Sequence, residues 1–231
     1  MALTAGLMVE AAAAEPGSRL PAGVVADPPR GFVDLCRRDR VLCLGGVSLS
    51  KDGAKGAEEG ARPLVKQVDR SLGPSGEEKT AKSADKVKPP DRILNPRWSL
   101  VMRVNRSVND RVWQVEDPLV SGVPEFWQRP TGKQPKGDCE DIAIEKRVQL
   151  LARGFPAEEM FYAVVYRAGL GLHTVLIVRL AAGDYVLDSA TPYVRLWSDT
   201  HYSWLRQQSP TDPLQWSTVP GATVLKSMAA S

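Results

Sequence analysis

Three side chains in this sequence have the types and the order that nucleophilic chemistry needs: Cys139, His173 and Asp188. A thiol attacks as its thiolate, an imidazole takes the thiol proton, and a carboxylate fixes which ring nitrogen carries it. Cys139 stands near the start of DCEDIAIEKRVQLLARG. That run reads as a helix with Asp138 as N-cap, Asp141 in a capping-box position and Gly154 as the stop. Unpaired N–H groups and the positive end of the helix dipole favour a thiolate at a first turn. Helical periodicity puts Cys139 on the side of Ile142, Ala143 and Leu150, the side facing a core. The alternative is a small buried cysteine with no chemistry.

His173 lies in LHTVLIVRL, on the strand face of Val175 and Ile177. A polar ring there requires a partner. Asp188 ends the next strand, YVLDSATP. A register with 173 opposite 188 centres the turn between Leu180 and Ala181 and brings the side chains to about 5 Å. A turn centred on Gly183 keeps the face but separates them by about 13 Å. A triad therefore demands the earlier turn. Each residue also has a plain reading, His173 as a satisfied core histidine and Asp188 as a turn former. His201, in SDTHYSW, has no acid on a paired strand and reads as structural.

The elements that must carry these groups follow from the sequence pattern. A helix is expected from Trp98 to Val108, continuing towards Trp113. Residues 115–137, with four prolines, form a long irregular loop, and such loops are often functional. After the Cys139 helix come strands at Phe161–Arg167, Leu172–Leu180 and Tyr185–Asp188. Helix first and antiparallel strands after imply an α+β fold.

All six tryptophans and all five tyrosines follow Ile93, so the core is placed at 93–220. Residues 50–92 are rich in Lys, Glu, Gly and Pro, and read as a flexible linker or insertion with a short helix near Leu64–Leu72. Residues 1–30 read as a leader or extended entry, 31–49 as a segment holding Cys36 and Cys43, and 221–231 as a tail. The apolar Ala2–Val9 and the small residues Ala11–Ala14 resemble an export signal, although Glu10 interrupts the run and no basic stretch precedes it. Cys36 and Cys43 form either a local disulfide, which needs an oxidising compartment, or two reduced thiols.

A net charge of +3 is too mild to argue for nucleic acid, and no apolar run reaches the length of a membrane span. Two distant histidines make no zinc cluster. A non-catalytic binding module remains the rival from another class.

The segments GDCEDIAIEKR, GFP, HTVLIVR and DYVLDS together resemble the bacterial transglutaminase-like cysteine peptidases, the group that includes the LapG-type periplasmic adhesin-releasing protease. VNRSVNDRVWQVEDPLVSGVPEFWQRP and LWSDTHYSWLRQQSPTDPLQW resemble the flanking family segments. Ile142, Thr174 and Ser189 depart from the family's usual residues without removing a catalytic atom. The resemblance implies a papain/transglutaminase-like core and a Cys139–His173–Asp188 triad hydrolysing a peptide bond; a transamidating or amidase reaction is the nearest enzymatic alternative. The oxyanion would be held by the Cys139 N–H and a donor from the 115–137 loop, where Trp127 is a candidate donor or wall. It also implies a periplasmic or exported protein, a protein substrate such as a surface adhesin, and an inner-membrane receptor as regulator. The family's calcium-binding acids match Asp138, Glu140 and Asp141. Those carboxylates would raise the pKa of the Cys139 thiol, and Ca²⁺ would neutralise them; the plainer alternative is that they only cap the helix.

Overall fold

The computed structural model describes residues 19–44 and 95–220. The chain divides into two units, Met1–Ser48 with Asp91–Ser231, and Leu49–Pro90. All described residues belong to the first. The leader motifs at Ala2–Val9 and Ala11–Ala14, the linker with its helix near Leu64–Leu72, and the 221–231 tail lie outside the described residues.

The helix around Cys139 explains the architecture best. α5, Cys139–Leu151, is buried along almost its whole length rather than on one stripe. A helix buried all round must have neighbours on more than one side. Its neighbours include α3, Pro96–Arg111, and strand β5, Gly171–Leu180. α3 starts where Asn95 accepts from the Arg97 and Trp98 N–H groups, with Pro96 just inside the helix. α5 ends at Leu151, and Gly154 takes a φ of 77° as the chain turns away.

The remaining elements are β1 (Val25–Ala26), α1 (Arg30–Arg38), α2 (Arg40–Cys43), β2 (Trp113–Gln114), α4 (Asp117–Val120), β3 (Lys136–Gly137), β4 (Met160–Arg167), β6 (Gly183–Leu187), β7 (Arg195–Leu196), β8 (Ser203–Gln208) and β9 (Trp216–Thr218). Among the described residues, one sheet runs β1-β9-β8-β4-β5-β6-β7, with every neighbouring pair antiparallel. β2 and β3 form a separate parallel pair. Alternation on β5 splits the core. Leu176, Val178 and Leu180 pack with Ile142, Ala143 and Ile144 of α5, while Val175 and Ile177 pack with Phe161, Val165 and Trp204 on the other face. A helix on an antiparallel sheet is the α+β arrangement expected from the element order.

Residues 19–26, read from sequence as part of an extended entry, join this sheet: β1 pairs β9, and Arg19 and the Leu20 N–H both bind Asp184. The 115–137 loop is more ordered than expected. It contains α4, and β3 lies beside β2. Cys36 and Cys43 form a disulfide between α1 and α2. Arg38, at the end of α1, donates to the Trp127 carbonyl and stacks over Phe126. Gly31 leaves no room for a Cβ against the Trp127 indole. The disulfide-bonded helix pair thus braces the loop that runs up to Cys139.

Candidate active site

Cys139 is half-buried at the first turn of α5. The β5–β6 ladder begins at Leu176, which pairs with Leu187. Thr174 lies beyond its end, and the Thr174 N–H donates to Cys139 Sγ at 3.3 Å. The helix start therefore meets β5 beside His173. The thiol itself donates to Glu140 Oε2 at 2.9 Å. Burial first, and the Glu140 carboxylate second, push the thiol well above its ordinary range. The helix-start effect is thus outweighed by burial together with the adjoining acids.

His173 and Asp188 are buried and bonded to each other, Nε2 to Oδ1, at 2.7 Å. That leaves Nδ1 as the ring nitrogen free to face a second group. Asp188 also accepts from the Ala190 N–H at 2.8 Å and from the Tyr202 hydroxyl at 2.5 Å. Asn109 of α3 donates to the Asp188 carbonyl. Burial pushes the Asp188 carboxyl up, but the His173 hydrogen bond and charge, then Tyr202 and Ala190, hold it below its ordinary value.

The register differs from both alternatives drawn from the sequence. Leu180 pairs with Gly183, so the turn is Ala181–Ala182. His173 and Asp188 are then diagonal rather than directly opposite. An offset of two residues keeps both on one face and within side-chain reach. The His173–Asp188 pair therefore needs no turn between Leu180 and Ala181, because a diagonal pair also reaches.

Asp138 stands at the N-cap position expected for it. Asp138 makes no side-chain cap hydrogen bond. Instead Asp138 and Glu140 converge with Asp117 of α4, and one oxygen from each lies within 4.8 Å of the others. Asp141, expected as the third member, stands outside this group. One residue further round the helix, its Oδ1 accepts from the Gln128 N–H at 2.8 Å, and its side chain fills the space a Cβ on Gly137 would need. Among the described residues, Asp117 Oδ1 and Asp138 Oδ1 are buried without a hydrogen-bond partner. Burial, then the Asp117 charge, push Asp138 up to about 6; burial, then Asp138, push Glu140 up to about 9.

Two oxygens that each sit ~2.3–2.6 Å from a Ca²⁺ ion are at most about 5 Å apart. The cluster satisfies that limit, and its hard carboxylate donors suit the ion.

Trp127, a candidate oxyanion donor from sequence, is committed elsewhere. Its Nε1 donates to Glu125 and its ring packs edge-on against Phe32 and Tyr162. His201 is exposed. Three residues escaped the sequence reading. Asp117 follows Glu116 just before Pro118 in the irregular loop, and nothing in its spacing ties it to Cys139. Tyr202 is the neighbour of the dismissed His201. Lys146, fully buried with Nζ unpartnered among the described residues, lies two helical turns after Cys139, and the i, i+7 spacing could have revealed it.

Residues 74–223 match the family model described as bacterial transglutaminase-like cysteine proteinase. No curated protein matches the chain. Among solved structures, calcium-bound LapG of Legionella pneumophila aligns with a TM-score of 0.45 at 22% identity, covering 56% of this chain and 74% of that one. EGTA-treated LapG of the same organism aligns with a TM-score of 0.42 at 24% identity, covering 48% of this chain and 63% of that one. The family match extends over more than half of the sequence, so this chain belongs to the bacterial transglutaminase-like cysteine proteinases.

Proposed function

We propose that Cys139 is the nucleophile of this cysteine protease, His173 its general base and acid, and Asp188 the residue that orients the imidazole. The observation that carries this reading is the 2.7 Å His173–Asp188 bond, next to the strand residue whose N–H holds Cys139 Sγ. With Nε2 bound to Asp188, Nδ1 takes the proton from Cys139. The thiolate then adds to the peptide carbonyl carbon, and the C=O electrons move to oxygen. Collapse breaks the C–N bond, and the leaving amine takes the proton from Nδ1. Water, deprotonated by His173, hydrolyses the thioester and regenerates the thiol.

Asp117, Asp138 and Glu140 are the residues that would hold a calcium ion. When bound, that ion supplies positive charge that offsets three carboxylates around the thiol. The residues themselves place those carboxylates on the helix and loop that frame Cys139.

The Cys36–Cys43 disulfide supports a periplasmic or otherwise exported location. Among the described residues, no helix is long and apolar enough to cross a membrane. The resemblance seen in the sequence supports a surface adhesin as the protein substrate and an inner-membrane receptor as regulator.

Iodoacetamide tests the triad. In calcium-saturated protein at neutral pH, Cys139 alkylates faster than a peptide thiol, and His173→Ala slows it by roughly a hundredfold or more. A Cys139 that reacts no faster than the peptide thiol would remove the proposal.

A further inference from the structure

Asp188 has two carboxylate oxygens, and only one faces His173. Oδ1 accepts from His173 Nε2 at 2.7 Å and from the Ala190 N–H at 2.8 Å. Oδ2 accepts from the Tyr202 hydroxyl at 2.5 Å. Tyr202 arrives from the chain just before β8, independently of the strands that carry His173 and Asp188. Its ring lies 6.0 Å from the His173 ring at 38° and 6.3 Å from Trp204, edge-on. One side chain therefore flanks the imidazole and grips the carboxylate behind it.

The last torsion of an aspartate is soft and broad. Donors on one oxygen leave the carboxylate plane loosely fixed; a donor on the other oxygen, anchored in a different element, fixes it. A fixed plane keeps the proton of a neutral imidazole on the nitrogen that faces the carboxylate. We infer that Tyr202 is a positioning residue: its hydroxyl locks Asp188 so that His173 keeps its proton on Nε2 and its Nδ1 lone pair open for Cys139. This rests on the triad reading above.

Tyr202→Phe tests it, because the ring and its packing remain while the hydroxyl goes. The measurements are the iodoacetamide rate at Cys139 in calcium-saturated protein and the ¹⁵N shifts of the His173 ring. The chain has two histidines, and His201→Ala in the same background leaves one set of signals. The expected result is an alkylation rate about tenfold lower, a melting temperature within a few degrees of the parent, and ¹⁵N shifts that move from the pure Nε2–H form towards a mixture of tautomers. An unchanged tautomer overturns the inference, whatever the rate. His173→Ala separates the two failures. If it alkylates like the parent, the triad reading itself has failed. If it is slow while Tyr202→Phe is unchanged in rate and tautomer, only the role of Tyr202 has failed.

Discussion

Helix α5 buries carboxylates at its first turn and again in its middle, and the two places are neutralised differently. In the middle, Glu145 is met by Arg111 from α3 and by Arg129 from the loop, at 2.5 and 2.8 Å, with Gln149 at 2.9 Å. Burial pushes Glu145 up, but these partners hold it below its ordinary value. At the first turn, burial pushes Glu140 and Asp138 up, and their neighbours include each other, the thiol and the further carboxylates of Asp117 and Glu125. Among the described residues, no ion pair reaches Asp117, Asp138 or Glu140. This fold brings two arginines into ion pairs with one carboxylate where neutralisation is structural. At the first turn the charge of Arg38 reaches Asp117 without an ion pair, which leaves room for the outside cation proposed above.

The largest effect that separates the two places is calcium itself. At a free concentration about a hundredfold above Kd, Ca²⁺ stabilises by about 2.7 kcal/mol, a rise in Tm of roughly 5–10 °C. Glu140→Gln loses that rise, and without calcium it melts above the parent because a buried acid that must take up a proton on folding at neutral pH is gone. Equal rises in parent and variant, read by calorimetry, would place the ion elsewhere.

Lys146 gives the next effect. Burial lowers it from 10.5 to about 7, against the opposing pull of Asp188. Between those values the unfolded chain binds a proton that the folded chain lacks, so this residue makes stability rise with pH through the window. Below about 7 its full cost remains. Lys146→Met therefore stabilises by on the order of 2–3 kcal/mol at pH 7, and the gain shrinks towards pH 10. Denaturant titrations of both proteins across pH 7–10 check this; a gain constant with pH would contradict it.

Glu145→Gln gives the smallest effect. Arg111 and Arg129 are half-exposed and regain water, so the loss is about 1–2 kcal/mol. That loss is the same with and without calcium. A calcium-dependent loss, seen in parallel melts, would merge the two places into one network.

Regular elements were legible in the sequence because they repeat. The β-rich apolar runs of β4, β5 and β6, and the bounded run of α5, gave the helix-on-sheet arrangement. Cys139, His173 and Asp188 stood out because each sits in or beside such an element. Asp117 and Tyr202 did not, because they come from chain that follows no period, and only the tertiary path brings them to the site. Asp138 takes the N-cap position without a side-chain cap bond for a related reason: local capping competes with an acid cluster whose third member arrives from α4. The β1 strand was invisible because two residues carry no alternation.

The β1–β9 pair has a kinetic consequence. It joins Val25 to Ser217, so the span of chain that must close before it forms is the greatest of any strand pair in the sheet. Closing so long a span costs more entropy than forming the hairpin of β5 and β6, and only a few backbone bonds reward it. This edge is therefore expected to assemble last and to exchange its amide protons first. Opening that begins there meets Trp216, buried edge-on against Phe32, before it reaches β8. The edge can fray while the strands carrying His173 and Asp188 stay closed.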